Sequence, residues 1–195
     1  MPSLSTPGRT LLGRSCAAAG LLALLLTACG NDSSSSASAE VPDGWRTLET
    51  PRVSVACPPG FREQDDSRRS KHNAAAAELR ADGRTVALIT VQLDFTRANN
   101  AEQAAIAAEA GIQLGADVKG TDEVELSGTD DARRIDFTFE ATGEGGGPAK
   151  GATVDGVILT GLDSEQETFA IRIDAQRGKL ADADLKRIVD SVEVR

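Results

Sequence analysis

The chain has 195 residues, of which 30 are acidic and 21 basic, and its formal net charge is −9. Nucleic acid and anionic lipid repel a surface of this sign, so the charge argues against both as direct partners. Only 3% of the residues are aromatic and none is tyrosine, which argues against an exposed aromatic face of the kind that binds sugars.

Residues 1–28 have the pattern of an export signal. Arg9 and Arg14 precede an apolar run from Cys16 to Ala28, and a positive segment followed by a short apolar one is typical of a signal peptide. As a helix the run would rise about 20 Å, at about 1.5 Å per residue. Because the hydrocarbon core of a bilayer is about 30 Å thick, we interpret residues 1–28 as a signal peptide and not as a transmembrane helix.

The signal segment closes with Leu26, Thr27, Ala28 and Cys29, which resemble the bacterial lipobox. The resemblance implies that diacylglycerol joins the Cys29 sulfur, that the bond after Ala28 is cleaved, and that the new amine can receive a further chain such as palmitate. Stable anchoring requires two or more acyl chains, because a single chain binds membranes only marginally. We therefore expect a lipoprotein on the extracytoplasmic face of the cell membrane; the alternative is an ordinary signal peptide with an accidental cysteine.

Residues 29–40 follow as the lipidated cysteine and a serine-rich tether, which is small, polar and without periodicity. The ten residues 31–40 span roughly 18 Å as a flexible chain. Removal of residues 1–28 takes away two arginines and no acids, so the mature chain has 19 basic and 30 acidic residues and a net charge of −11. Residues 41–195 fit a single domain in size, and its lone cysteine, Cys57, is expected to be buried.

The first half of this domain predicts four strands. Segments 45–48 and 52–57 form a first pair, and residues 62–72, highly charged and without an apolar stripe, are expected to be a solvated loop. Segments 74–80 and 84–95 flank an Asp-Gly pair, which strongly indicates a hairpin.

A change of period then predicts a helix over 100–114, which Gly115 ends. Asn100 is the expected cap with Gln103 as its reciprocal partner, and the expected apolar side consists of Ala105, Ile106, Ala108, Ala110 and Ile112.

Strands are predicted next over 118–126, 132–141, 151–162 and 168–176, whose alternation favours an antiparallel sheet. A last helix, capped by Asp182, carries an apolar stripe formed by Leu185, Ile188, Val189 and Val192. The sequence therefore predicts an α+β fold, an antiparallel β-sheet with helices packed on it.

The strand around Ala132–Phe139 and the closing helix Leu185–Val192, together with this order of elements, resemble the Mog1/PsbP-like fold of LpqN/LpqT-type bacterial lipoproteins. The resemblance covers nearly all of residues 41–195. It implies an α/β/α sandwich and an accessory module that binds or helps to assemble other macromolecules without catalysing a reaction. It identifies no ligand.

The motifs of common hydrolases are missing from the sequence: it lacks G-x-S-x-G, S-x-x-K, H-E-x-x-H and C-x-x-C, and it has one histidine. We therefore expect a protein that has no enzymatic activity and binds no cofactor. The alternative is a lipid-anchored hydrolase of the envelope with an unrecognised active site. The expected partners are the membrane, through the lipid on Cys29, and an envelope protein or ligand.

Basic residues cluster at Arg68, Arg69, Lys71 and His72, a positive patch on an acidic chain. This patch is a candidate partner-binding site, and its alternative is a solvated loop with locally unbalanced charge.

The glycine-rich segment 143–148 joins two predicted strands and is interpreted as a mobile hairpin tip, because phosphate-binding loops lead into a helix. Acidic clusters such as 163–167 lack the spacing of a calcium loop, so no metal site is predicted.

Overall fold

A computed structural model describes residues 41–195. The predicted signal peptide (1–28), the lipidation site Cys29 and the tether (29–40) lie outside the described residues. The described residues belong to one compact unit, and none of the helices among them is long and apolar enough to cross a membrane.

Ten strands and two helices make up residues 41–195. The strands are β1 Arg46–Glu49, β2 Val53–Cys57, β3 Arg62–Glu63, β4 Ala75–Ala81, β5 Arg84–Leu93, β6 Asp117–Glu123, β7 Ala132–Glu140, β8 Thr153–Leu162, β9 Thr168–Gln176 and β10 Glu193–Val194. The helices are α1 Ala101–Ala110 and α2 Asp182–Asp190. Seven strands form a sheet in the order β3-β4-β5-β9-β8-β7-β6, and β1-β2-β10 form a smaller one. The pairings between these strands are antiparallel, which confirms the predicted α+β class.

The large sheet buries apolar side chains on both faces because its strands alternate. On one face Ile89, Ile173 and Val157 stand side by side on β5, β9 and β8, and they pack with β2 and α2 in the main core. On the other face Ile135 and Ile158 pack beneath α1 in a second, smaller core. The layers are therefore α1, the large sheet, and a third layer made of α2 with the small sheet.

Helix α1 begins where the sequence predicts, and its predicted apolar side is confirmed in part: Ala105 and Ala108 are buried, and Ile112 packs against the second core. The Asn100 side chain accepts a hydrogen bond from the Gln103 backbone N–H at 2.9 Å, as expected of a cap. The Gln103 side chain, however, accepts from the Asn99 backbone N–H. The helix ends at Ala110, before the predicted Leu114. Ile106, placed on the apolar side by the sequence, is 65% exposed, because burial falls on small side chains: Ala101, Ala104, Ala105 and Ala108.

Helix α2 confirms most of its predicted stripe, since Ile188, Val189 and Val192 are buried. The expected cap is wrong: Ala181 is the N-cap residue and makes no side-chain cap hydrogen bond, while Asp182 is the first helical residue. The helix is tied to β2 instead, where the Ala56 backbone N–H donates to the Ser191 hydroxyl at 2.9 Å.

A buried ion pair joins the start of β2 to the turn after β8. The Arg52 Nη1 donates to Asp163 Oδ2 at 2.6 Å, and Asp163 Oδ1 accepts the backbone N–H groups of Glu165 and Glu167 at 2.9 and 3.0 Å. The Asp163 side chain is fully buried, so the acidic segment 163–167 has a structural role in this turn.

Candidate functional site

A cavity opens on the sheet face that carries α1. Helix α1 packs mainly on β7 and β8. Beside it, the part of this face that β4, β5 and the second half of β9 form lines the cavity. The cavity has a volume of about 400 Å³ and lies between the β3–β4 loop and the β7–β8 loop, a size within the range of small-ligand sites. Its lining combines apolar and charged side chains, among them Glu78, Arg80, Leu88, Phe139, Asp174 and Gln176.

Strand register explains why residues distant in sequence meet in this cavity. Glu78 on β4 is opposite Leu88 on β5, Leu88 is opposite Asp174 on β9, and Asp174 is opposite Gly156 on β8. Because partners across a sheet point to the same face, this one row places two carboxylates on the cavity floor with a leucine between them.

The Glu78 carboxylate is the most buried charge of the cavity, with a side chain only 4% exposed. It pairs with Arg68, accepts the Thr85 hydroxyl at 2.7 Å, and accepts the Gln64 amide at 3.3 Å. Burial alone would raise its pKa, but the hydrogen bonds from Thr85, Arg68 and Gln64 and the charge of Arg68 lower the pKa of Glu78 below its ordinary value. Glu78 is therefore an ionised carboxylate, and both of its oxygens accept hydrogen bonds.

The second acid, Asp174, is bound by a neighbour on its own strand. The Arg172 Nε donates to both Asp174 oxygens at 2.9 and 3.0 Å, and the Arg172 guanidinium lies 4.9 Å from the centre of the Phe137 ring. Burial raises the pKa of Asp174 more strongly than the charge and hydrogen bond of Arg172 lower it. This side of the cavity is thus held by an ion pair that stacks on an aromatic ring.

Gly156 is required for that arrangement. A Cβ atom built on Gly156 would lie 2.2 Å from the Cζ atom of the Phe137 ring, because the ring lies directly over the glycine. The ring fills the space that a side chain would take and supports Arg172. The glycine thus allows the close approach of the ring.

The glycine-rich segment 143–148 forms one wall of the cavity. The Thr85 backbone N–H donates to the Gly146 carbonyl at 2.9 Å, and Arg84 Nη1 donates to the Gly147 carbonyl at 3.2 Å. The segment joins β7 to β8, as the predicted hairpin tip requires, and its mobility stays a prediction. These hydrogen bonds join it to the start of β5, although β9 lies between β5 and β8 in the sheet.

The predicted basic patch is divided by the structure. Arg68 lines the cavity and pairs with Glu78, whereas Arg69 pairs with Asp66 outside it. Lys71 and His72 are exposed and do not line the cavity. The role of the four residues in binding a partner stays a prediction, and only Arg68 lies where a cavity ligand could touch it.

Sequence reasoning missed Glu78, Arg80, Asp174 and Gln176. The residues Arg172, Asp174 and Gln176 alternate with the apolar stripe of β9, so the sequence predicts that they share one face of the strand. Their position in a cavity could not be predicted, because it depends on how little of the sheet α1 covers.

Cys57 is buried as predicted, and burial, with a smaller contribution from the charge of Glu63, raises its pKa to about 12. Within residues 41–195 no group of three or more His, Cys, Asp or Glu side chains is placed to hold a metal ion.

Comparisons with known proteins support the fold of the chain and identify no family. No family model matches the chain, and no curated protein matches it. The crystal structure of the Ran-binding protein Mog1p from Saccharomyces cerevisiae is similar with a TM-score of 0.50 and 15% identity, over 77% of this chain and 95% of Mog1p. The described residues therefore have a Mog1/PsbP-like α+β fold, as the sequence predicted.

A second similar structure is a crystal structure from Bacteroides thetaiotaomicron VPI-5482. Its TM-score is 0.46 at 13% identity, and the match covers 78% of this chain and 49% of that protein. This chain thus spans about half the length of that protein.

Proposed function

We propose that this protein is a non-enzymatic binding module, held on the extracytoplasmic face of the cell membrane by lipid on Cys29, and that it takes its ligand or partner in the cavity beside α1. The observation that carries the proposal is the cavity itself, about 400 Å³ in volume, whose buried polar groups are already paired and oriented. Preorganised polar groups among apolar lining residues are typical of binding sites.

The state of the acids supports binding over catalysis. A general base works best with a pKa near the operating pH, whereas the pKa of Glu78 is lowered and its oxygens accept from Arg68, Thr85 and Gln64. Thr85 is the hydroxyl side chain that lines the cavity, and it donates to a carboxylate that is a weak base. A fold shared with a Ran-binding protein is compatible with a binding module.

Photocrosslinking in intact cells tests binding at the cavity. A photoreactive residue replaces Gln176, which lines the cavity, and in a matched variant it replaces Glu109, which is exposed on α1. We expect a covalent adduct at position 176 and none at 109. Equal labelling at both positions, or turnover of an ester panel that Thr85→Val abolishes, would overturn the binding proposal in favour of a hydrolase.

Membrane fractionation tests the anchor. We expect the wild-type chain in the membrane fraction and a Cys29→Ser chain, placed behind an ordinary cleavable signal peptide, in the soluble fraction. Cys57→Ala is the matched control, because it removes a thiol from the described domain and leaves Cys29, so it should stay in the membrane fraction. Retention of the Cys29→Ser chain would contradict the anchor.

A further inference from the structure

The cavity divides into an apolar part and a cationic part. Val86, Leu88 and Val154 lie on its floor, and Phe139 closes one side. Arg68 and Arg80 stand at the other side, next to Glu78. A ligand that fills this space has to match both parts.

The charge of the cationic part is positive. Two guanidinium groups, those of Arg68 and Arg80, share the one carboxylate of Glu78, and Asp174 is neutralised by Arg172. Arg84 does not line the cavity, but it precedes the lining residue Thr85, forms no ion pair within residues 41–195 and donates to the Gly147 carbonyl. A positive site on a chain of net charge −9 concentrates anions locally.

Both arginines keep N–H donors that no group accepts within residues 41–195. Arg80 uses Nη1 for Glu78 and Thr85 and Nη2 for the Gly83 carbonyl, which leaves its Nε. Arg68 uses Nη2 for Glu78, and among the described residues no side-chain hydrogen bond is formed by its Nε or Nη1. Arg68 and Arg80 are 52% and 43% exposed, so their free N–H groups can reach a ligand. A guanidinium presents five donors in a fixed fork that suits carboxylate and phosphate groups.

The acids of the cavity do not offer an equivalent place to a cation. The oxygens of Glu78 are occupied by Arg68, Thr85 and Gln64, and both Asp174 oxygens accept from Arg172. A cationic ligand would have to displace one of these partners and would meet an excess of positive charge.

We infer that the cavity binds a small amphipathic anion, with its acidic headgroup on Arg68 and Arg80 and its apolar chain on Val86, Leu88 and Val154. This ligand class rests on the proposed binding function and narrows it. A carboxylate and a phosphate headgroup share the chemistry that the arginines recognise, so both are included as separate probes.

The test uses the unlipidated Cys29→Ser chain and three single-chain probes below their micelle concentrations: octanoate, octyl phosphate and octylamine. Calorimetry should show one site for at least one of the two anions and none for octylamine. Hexanoate should bind more weakly than octanoate, by up to about fourfold for each methylene that leaves the apolar floor. Tighter binding of octylamine than of either anion would overturn the inference.

Variants locate the site. Arg68→Gln should weaken binding of the anion about tenfold or more, since a hydrogen bond to a charged group is lost. The matched control Arg69→Gln, whose arginine pairs with Asp66 outside the cavity, should bind normally. Leu88→Trp fills the floor and removes no member of the ion network, so it should abolish binding. It provides an independent test of the site if Arg68→Gln fails to fold. Unchanged binding in Leu88→Trp would refute the site.

The outcomes separate the two proposals. Specific crosslinking at position 176 without binding of either anion would refute the ligand class and leave the binding module standing. If there is neither crosslinking at position 176 nor binding of an anion, both the binding module and the ligand class are refuted.

Discussion

Replacement of Gly156 by alanine tests the packing on which the cavity depends. The added methyl carbon would lie 2.2 Å from the Cζ atom of Phe137, whereas carbon atoms in contact are about 3.5–4.0 Å apart. The ring would have to move by more than about 1 Å, although Phe137 is 1% exposed and supports Arg172. Overpacking of this kind costs about 1–3 kcal/mol, and the lower chain entropy of unfolded alanine offsets about 0.4–1 kcal/mol of it.

We therefore expect Gly156→Ala to lower the free energy of unfolding by about 1.3 kcal/mol. Urea unfolding measures it, with the fluorescence of Trp45, which packs against the main core. Gly120→Ala is the matched control, because a Cβ on that strand glycine would meet its nearest atom at 3.9 Å. It should change stability by less than about 0.5 kcal/mol. In a double-mutant cycle Phe137→Leu should relieve part of the cost of Gly156→Ala. Equal stability of the two alanine variants would refute the packing described above.

Three further predictions concern other charged or buried groups. The pKa of Asp174 is raised, so above the ordinary aspartate pKa of about 3.9 the unfolded chain releases this proton before the folded chain does. The contribution of Asp174 to stability therefore falls as pH rises through this window. The stability of Asp174→Asn relative to wild type should increase with pH in denaturant titrations. Cys57, with a pKa of about 12, should be labelled by a thiol reagent at least about a hundredfold faster after unfolding than before, measured on its peptide by mass spectrometry. Asp163→Ala removes the buried partner of Arg52 and should cost about 3 kcal/mol in urea unfolding, and Asp163→Asn less.

Each of these has a clear contrary result. Relative stability of the Asp174→Asn chain that falls with pH would show that the pKa of this acid is lowered in the fold. Rapid labelling of Cys57 in the native protein would show that the thiol is accessible. An Asp163→Ala chain as stable as wild type would show that the turn after β8 does not depend on the buried carboxylate.

The strands could be predicted from the sequence because their signals are local. Alternation placed Ile171 and Ile173 on one face of β9, and an Asp-Gly pair marked the β4–β5 turn, where Asp82 and Gly83 both have positive φ. The apolar side of α1 was predicted less well, since alanines surround Ile106 on the helix. A helix of alanines has almost the same hydrophobicity on every side, so which side is buried is decided by the sheet beneath it.

Most of the candidate site could not be predicted from the sequence, because it depends on the pairing register of strands that are distant along the chain. Glu78 and Asp174 are on the same row only because β5 lies between β4 and β9. The glycine-rich segment 143–148 contacts β5 through the hydrogen bond between Thr85 and Gly146, and no local sequence pattern predicts that bond. Arg68 was singled out for its charge, and its partner Glu78 was not, since a lone glutamate among alanines on β4 has no signature.

The measurement that tests the proposed function most directly is mass spectrometry of the N-terminal peptide of the protein purified from its own cells. A binding module that works at the membrane through a lipid anchor predicts a chain beginning at Cys29, with diacylglycerol on the sulfur. A free Cys29 thiol, or a chain that still begins at Met1, would contradict it.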